Sequence, residues 1–147
     1  MNMRWYVALF DDAGDELHER CGLTPEFHRT HRSGTVDLEH HTHFLNEVMP
    51  GDTIAVYSRL VERSPKRLHY LMFLVNETSA QAEGSVVRGE KSSGRLAAIF
   101  ECMNAFLDLD ARKTAPFPPE IAAKIDAWLD RDKKLDWPPP VSGAMQA

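Results

Sequence analysis

Phe44-Leu45-Asn46-Glu47-Val48-Met49-Pro50-Gly51-Asp52 ends one long strand-like run at a Pro-Gly turn, and Thr53-Ile54-Ala55-Val56-Tyr57 opens another at once. Proline fixes one backbone angle and glycine accepts the left-handed one, so the pair marks a reversal between strands. Outward from this turn the pattern is uneven. A single apolar helical run precedes it, and strand-like runs follow it. One helix and then a string of antiparallel strands predicts an α+β domain.

The helical run covers residues 3–20, where Met3, Tyr6, Phe10, Ala13 and Leu17 recur at spacings of three and four. Trp5, Val7, Ala8 and Leu9 add apolar surface on the other faces, so the helix is expected to be buried on most sides. Cys21-Gly22 is its stop, and Pro25 falls in the loop beyond. Residues 33–48 read as one strand. Its even positions, Val36, Leu38, His40, Thr42 and Phe44, are more apolar than its odd ones, and are expected to face the helix. Residues 53–62 alternate, and residues 68–75 are almost continuously apolar, as in a strand covered on both faces. Residues 78–94, rich in Ser, Gly and charge, read as a long mobile hairpin loop, and 95–109 as another long strand. The prolines of 116–119 lead into a short helix ending near Leu129. A single domain over 1–130, with 131–147 as an extended or disordered tail, is the expected organisation.

Composition narrows the function. With 147 residues, 43% hydrophobic and 27% charged, the chain is of ordinary globular make-up. Its 17 basic against 22 acidic residues, a formal charge of -5, disfavour non-specific nucleic-acid binding, which requires excess positive charge. No apolar run approaches a membrane span, and Asp11 and Asp12 interrupt the N-terminal apolar stretch, which argues against a signal peptide. Cys21 and Cys102, in unrelated contexts, are read as reduced thiols of a cytoplasmic protein.

Three groups could carry chemistry. Asp11 and Asp12 follow directly on Trp5 to Phe10. Near the core, burial, mutual repulsion and a helix C-terminus would each raise a carboxyl pKa and make a general base or nucleophile; in solvent they would be ordinary surface acids. His41 and His43 share a strand face with Glu39 and Asp37, and with Glu47 they have metal-like spacing similar to the cupin motif. The chain lacks that family's glycine-rich surroundings and second histidine motif, so a solvated strand face is the alternative. Arg59, Arg63, Lys66 and Arg67 surround one turn and could hold phosphates, or form a plain solvated turn. Trp5 and Tyr6 could accommodate an aromatic acyl group or a quaternary ammonium, or could be core.

Taken together, the helix and four long strands joined through Glu47-Val48-Met49-Pro50-Gly51-Asp52 resemble the hotdog fold, a sheet wrapped around a central helix. Within it the chain resembles the 4-hydroxybenzoyl-CoA thioesterase-like family. Met1-Asn2-Met3-Arg4-Trp5-Tyr6 is similar to the end of that family's Asp-x-x-Gly-His-Met-Asn motif. Phe10-Asp11-Asp12-Ala13-Gly14-Asp15 is similar to the acidic stretch of its helix. Leu38-Glu39-His40-His41, Phe44-Leu45-Asn46-Glu47-Val48 and Ala115-Pro116-Phe117-Pro118-Pro119-Glu120 resemble a subgroup linked to carnitine breakdown. The family's opening strand and the Asp-x-x-Gly-His half of its motif are expected before residue 1, which leaves a carboxylate on the helix, Asp12 or Asp11, for catalysis. The resemblance implies hydrolysis of an acyl-CoA thioester without metal or cofactor, the carbonyl being polarised by the helix N-terminus near Asn2 and Met3. It implies a homodimer, or a dimer of dimers, paired at the edge strand 33–48. Trp5, Tyr6, Glu39 and His41 would line the substrate site, and Arg59, Arg63, Lys66 and Arg67 would meet CoA. A cupin-like metalloprotein and a non-catalytic acyl-CoA-binding hotdog module are the rivals.

Overall fold

A computed structural model describes residues 1–78 and 94–147. The loop expected over 78–94 lies almost wholly outside the described residues. The elements run α1 (Met3–Arg20), α2 (Pro25–His31), β1 (Ser33–Phe44), β2 (Ile54–Arg63), β3 (Arg67–Asn76), β4 (Arg95–Asp108), β5 (Lys113–Thr114) and α3 (Pro119–Asp132). The four long strands form one antiparallel sheet in the order β1-β4-β3-β2, with β5 beside β4. This is the expected hotdog arrangement, and β1 is an edge strand as anticipated.

α1 starts where Asn2 accepts a hydrogen bond from the Arg4 amide through its side chain, and it ends at Cys21. One stripe of it is buried: Tyr6, Phe10, Gly14, Leu17 and His18. The expectation of burial on most sides is therefore corrected. Trp5 is 52% exposed and Met3 67%, because one sheet covers one side of the helix. Phe10 stacks on Phe100 of β4 at 4.9 Å between ring centroids, and Tyr6 meets Phe44 of β1 edge-on at 5.1 Å. Burying a ring of this size is worth ~1.5–3 kcal/mol, so these two contacts do much to fix how the helix lies on the sheet.

The second helix, α2, occupies a segment whose sequence predicts a loop. Its signal was present in Thr24-Pro25: the Thr24 hydroxyl accepts from the Phe27 amide at 3.1 Å, and Pro25 occupies the first turn. α3 matches the expected C-terminal helix and continues to Asp132. Its Asp132 carboxylate accepts the backbone amide of Leu60 at 2.8 Å, which occupies a donor on the edge strand β2. Arg63 pairs with Asp126 through two hydrogen bonds of 2.6 and 2.5 Å.

β3 is buried along nearly its whole length, as its continuous apolar sequence requires. Leu68, Tyr70, Met72 and Leu74 face α1 and α3 within the main core. Leu71, Phe73 and Val75 form a second cluster on the outer face with Trp137. The C-terminal residues 133–147 lie across that outer face. Trp137 packs edge-on against Phe73 at 5.5 Å and under the Arg59 guanidinium at 4.0 Å. The Ser142 amide donates to Glu101, and the Ala147 amide to Glu62.

β1 departs from simple alternation. Its pairing with β4 shifts between Asp37 and Glu39, so Leu38 is an extra residue. Thr35 and Asp37 stand opposite Phe106 and Asn104, on the helix face. Beyond the bulge, His40, Thr42 and Phe44 take that face, while Glu39 and His41 stand opposite Met103 and Glu101 on the outer one. The expectation that all even positions face the helix thus holds for the second half of the strand alone. The strand also ends at Phe44 rather than at 48. The Leu45 and Asn46 amides both bond to the carbonyl of Ala97, which turns the chain out of the ladder.

Candidate active site

The bulge and the helix together build a cavity of about 380 Å³ between α1 and β1. Val7, Asp11, Asp15 and His18, spaced four, four and three residues apart, form one flank of α1 and line it. Thr35, Asp37 and His40 line it from β1, and Tyr70, Phe100 and Asn104 close its floor. The Asp37 carboxylate accepts from the Asn104 amide nitrogen at 2.7 Å, which fixes its direction.

Electrostatics in this cavity are one-sided. Asp11, Asp15 and Asp37 contribute three carboxylates, and among its described lining residues there is no Lys or Arg. Burial holds the His18 imidazole below its ordinary pKa, against the opposing pull of Asp37 and Asp15. Burial likewise pushes the Tyr70 hydroxyl up, so it stays a neutral donor. His18 and Asn104 are buried, yet His18 Nε2 and Asn104 Oδ1 make no hydrogen bond among the described residues.

The two aspartates singled out from sequence separate here. Asp11 lines the cavity, while Asp12, one residue on and about 100° around the helix, does not. Both side chains are exposed, so the burial from which a raised pKa was expected is absent. Asp37 and Asp15 were missed as members of this group. Asp37 was assigned to the outer face because strict alternation places it there, and the extra residue Leu38 reverses that.

A second, shallower depression lies at the N-terminus of α1, lined by Met1, Met3, Tyr6, Phe44, Leu45, Asn46 and Glu47. Asn2 caps the helix there, and its side chain and carbonyl already engage the amides of Arg4 and Trp5. The free first-turn amides expected for polarising a carbonyl are therefore reduced by two. Tyr6 is buried and its hydroxyl donates to the Asn46 carbonyl at 3.3 Å, whereas Trp5 projects outward beneath Arg4. Tyr6 is a core residue at the edge of this depression, and Trp5 a surface one.

Glu39 and His41 are on the outer face, away from the cavity. His41 Nε2 lies 3.0 Å from Glu39 and its Nδ1 3.9 Å from Glu101. His43 is exposed and Glu47 lies beyond the strand end, so the His41, His43 and Glu47 trio does not converge. Among the described residues no group of three or more His, Cys, Asp or Glu side chains could hold a metal.

The basic turn also divides. Arg59 is buried and directed to the Trp137 carbonyl at 2.9 Å, and Arg63 is paired with Asp126. Lys66 and Arg67 remain at the exposed turn, Lys66 donating to the Thr114 carbonyl. Neither cysteine is a nucleophile candidate: burial pushes the Cys21 thiol up to about 11, and that of Cys102 further. No helix among the described residues is long and apolar enough to cross a membrane.

A helix laid on one antiparallel sheet in the order β1-β4-β3-β2 is the hotdog architecture, and carboxylates on the helix's cavity-facing flank are groups of the kind that can activate water. The chain belongs to the thioesterase-like superfamily, which it matches over residues 1–125. It is 27% identical over 136 residues to a betainyl-CoA thioesterase of Pseudomonas aeruginosa, covering 91% of this chain and 76% of that protein. It is 26% identical over 133 residues to an L-carnitine dehydrogenase/betainyl-CoA thioesterase of Rhizobium meliloti, covering 90% of this chain and 24% of that protein. A Staphylococcus aureus protein solved in complex with CoA superposes with a TM-score of 0.79 at 23% identity, covering 94% of this chain and 78% of the other. The activity expected from sequence, hydrolysis of an acyl-CoA thioester to free acid and CoA, accords with this family, and the cupin-like alternative does not.

Proposed function

We propose that this thioesterase works in the α1–β1 cavity, with Asp11 as its catalytic carboxylate. The observation that carries this is the separation of the two aspartates: Asp11 lines the cavity and Asp12 does not. Asp11 takes a proton from water, the resulting hydroxide attacks the thioester carbonyl, and the C–S bond breaks to release CoA thiolate, which is then protonated. In the equivalent covalent route the carboxylate attacks directly and water hydrolyses the mixed anhydride. Neither route calls on a metal or cofactor.

The active unit we propose is a homodimer paired along β1, or a dimer of dimers built from it. Met3 and Val7 of α1 and Val36, Leu38 and Phe44 of β1 are all substantially exposed, an apolar set along one edge of the molecule. Helical rise supports the same reading. Met3 and Asp11 are eight residues apart, ~12 Å along the axis, too far for both to act on one carbonyl of a bound ester. A twofold mate could bring its own α1 N-terminus to Asp11. Lys66 and Arg67 are the proposed contacts to CoA phosphates, since Arg59 and Arg63 are occupied. Reduced, buried Cys21 and Cys102 favour a cytoplasmic setting.

Release of free CoA thiol from a panel including acetyl-CoA, betainyl-CoA and an aromatic acyl-CoA tests the proposal. Asp11→Asn should abolish release, and Asp12→Asn should retain it. Loss with Asp12→Asn alone would transfer the role to Asp12. An enzyme that binds the esters without turning any over would be the non-catalytic module. Activity that disappears on dialysis against chelator and returns with a metal would end the cofactor-free mechanism.

A further inference from the structure

Residues 133–147 match the outer face of the sheet group for group. That face has two halves. Leu71, Phe73 and Val75, with Val61, Leu96 and Ile99 beside them, make one half apolar. Glu101, His69, Glu62, Glu39 and His41 make the other half polar and rich in carboxylates. Trp137 rests on the apolar half against Phe73, and its carbonyl accepts from Arg59 Nη1 at 2.9 Å. The Ser142 and Ala147 amides rest on the polar half, donating to Glu101 at 2.9 Å and to Glu62 at 3.1 Å. Met145 is buried between them. Pro138, Pro139 and Pro140 separate the two sets of anchors; they carry no amide hydrogen and hold the chain extended. The segment lies in no helix or strand, so a few side chains and amides hold it, and it can lift without breaking the ladder beneath.

Lifting it would bare an apolar patch on an antiparallel sheet. Such a face is covered in other architectures by a second sheet packed ~10 Å away. Another copy of this chain supplies one. Pairing along β1 would also set two outer faces side by side, doubling the patch that a further pair could meet. We infer that residues 133–147 are a strap that closes the outer face to other copies, so that assembly stops at the pair formed along β1. The inference rests on that proposed pairing for the size of the closed unit; the closing itself belongs to each chain.

The experiment releases the strap in the whole chain. Trp137→Ala removes the aromatic anchor, and Ser142→Pro removes the amide that Glu101 accepts. Mass by light scattering and binding of a hydrophobic dye are compared with wild type. The double variant should bind severalfold more dye, and its mass should double as concentration rises. Adding Val61→Lys, a charge on the bared apolar half, should restore the wild-type mass. The doubling is read relative to wild type, so a wild type of one chain would end the β1 pairing and leave the strap standing. More dye without more mass would show that the face does not take a second copy, and unchanged dye and mass would show that the tail does not close it. A mass increase that Val61→Lys leaves intact would place the contact elsewhere. A wild type of four chains, halved by Val61→Lys alone, would put the face in use beneath the tail. Any of these overturns the inference. Should circular dichroism show the double variant unfolded, Ser142→Pro alone, at an exposed position, takes its place with the same readouts. Hydrogen exchange at the wild-type Ser142 amide is a further check: protection is expected, and exchange as fast as in an unstructured peptide would remove the strap.

Discussion

Glu101→Gln tests whether the outer face of the sheet is held by one carboxylate. Glu101 is 1% exposed and sits at the centre of a row that crosses all four strands. Its Oε1 accepts from His69 Nε2 at 2.9 Å, and its Oε2 accepts from the Ser142 amide at 2.9 Å. Glu39 and His41 lie beside it on β1, and Glu62 stands 3.6 Å from His69 on β2. Glutamine keeps the shape but has one oxygen, so either His69 or Ser142 must face an NH2 group. A buried donor left unpaired costs ~1–3 kcal/mol, and the surviving bond loses its charge assistance, while the desolvation cost of a buried charge disappears. The net expectation is a loss of ~2 kcal/mol near neutral pH, which for a chain of this size lowers Tm by ~4–8 °C. Burial alone would raise the Glu101 pKa, but hydrogen bonds from Ser142 and His69 outweigh it and hold the carboxyl below its ordinary 4.5. A carboxyl depressed in the folded state stabilises above its unfolded pKa, and that contribution fades as pH falls through the folded value. The gap between wild type and Glu101→Gln should therefore be full at pH 7, begin to shrink below about 4.5, and close in stronger acid. Urea unfolding followed by tryptophan fluorescence, at a series of pH values, measures it. A gap independent of pH, or no gap at pH 7, would refute the reasoning.

Other substitutions probe separate parts of the structure. Gly14→Ala should stabilise by ~0.5–1 kcal/mol: an added Cβ would lie 3.7 Å from Met72 and 3.8 Å from Tyr70, ordinary contact distances, and thermal melts would show the gain. Phe10→Ala removes the ring stacked on Phe100 and should cost ~3–5 kcal/mol in chemical denaturation, enough to unfold a marginal domain. Arg63→Ala should reduce stability by ~1 kcal/mol with little change in KM for acyl-CoA, because Arg63 is paired with Asp126; a large rise in KM would return it to the CoA site. Leu38→Glu places a charge on the proposed interface and should shift the mass seen by light scattering from dimer to monomer, with activity falling alongside.

Much of the fold was legible because period and punctuation agreed. Continuous apolarity over β3 matched burial on both faces, and Pro50-Gly51 marked the reversal into β2, with Gly51 at φ 93°. The extent of burial of α1 was not legible. Trp5, Val7 and Tyr6 are all apolar, and which of them points inward depends on where one sheet touches the helix. The tail was equally opaque. Trp137-Pro138-Pro139-Pro140 reads as extended chain, and nothing local states that Trp137 will settle between Arg59 and Phe73. Such contacts span more than sixty positions of chain, so local periodicity carries no trace of them.

The site was half legible for a sharper reason. Carboxylates on α1 could be recognised by type, but their partners come from β1, and one residue there decides which partners. A strand read with strict alternation puts Asp37 on one face with Glu39, His41 and His43. Inserting Leu38 as a bulge moves Asp37, together with Thr35, to the other face, next to Asn104, Asp15 and His18. The same residue therefore takes Asp37 off the outer face and completes the acidic cavity, while the His41, His43 and Glu47 trio fails separately because Glu47 lies beyond the strand end. Deleting Leu38 separates the bulge from the faces it assigns. Removing the extra residue leaves Asp37 facing Asn104 and Glu39 facing outward, because regular alternation through the shortened strand gives those same faces. The deletion should keep the fold and the turnover of acyl-CoA, changing the local twist of β1 alone. By contrast, deleting Val36 or inserting a residue after Asp37 would offset the register of one half of the strand against the other. If the Leu38 deletion abolished turnover while preserving the circular dichroism of the native sheet, the bulge itself, rather than the face it assigns to Asp37, would be what shapes the cavity.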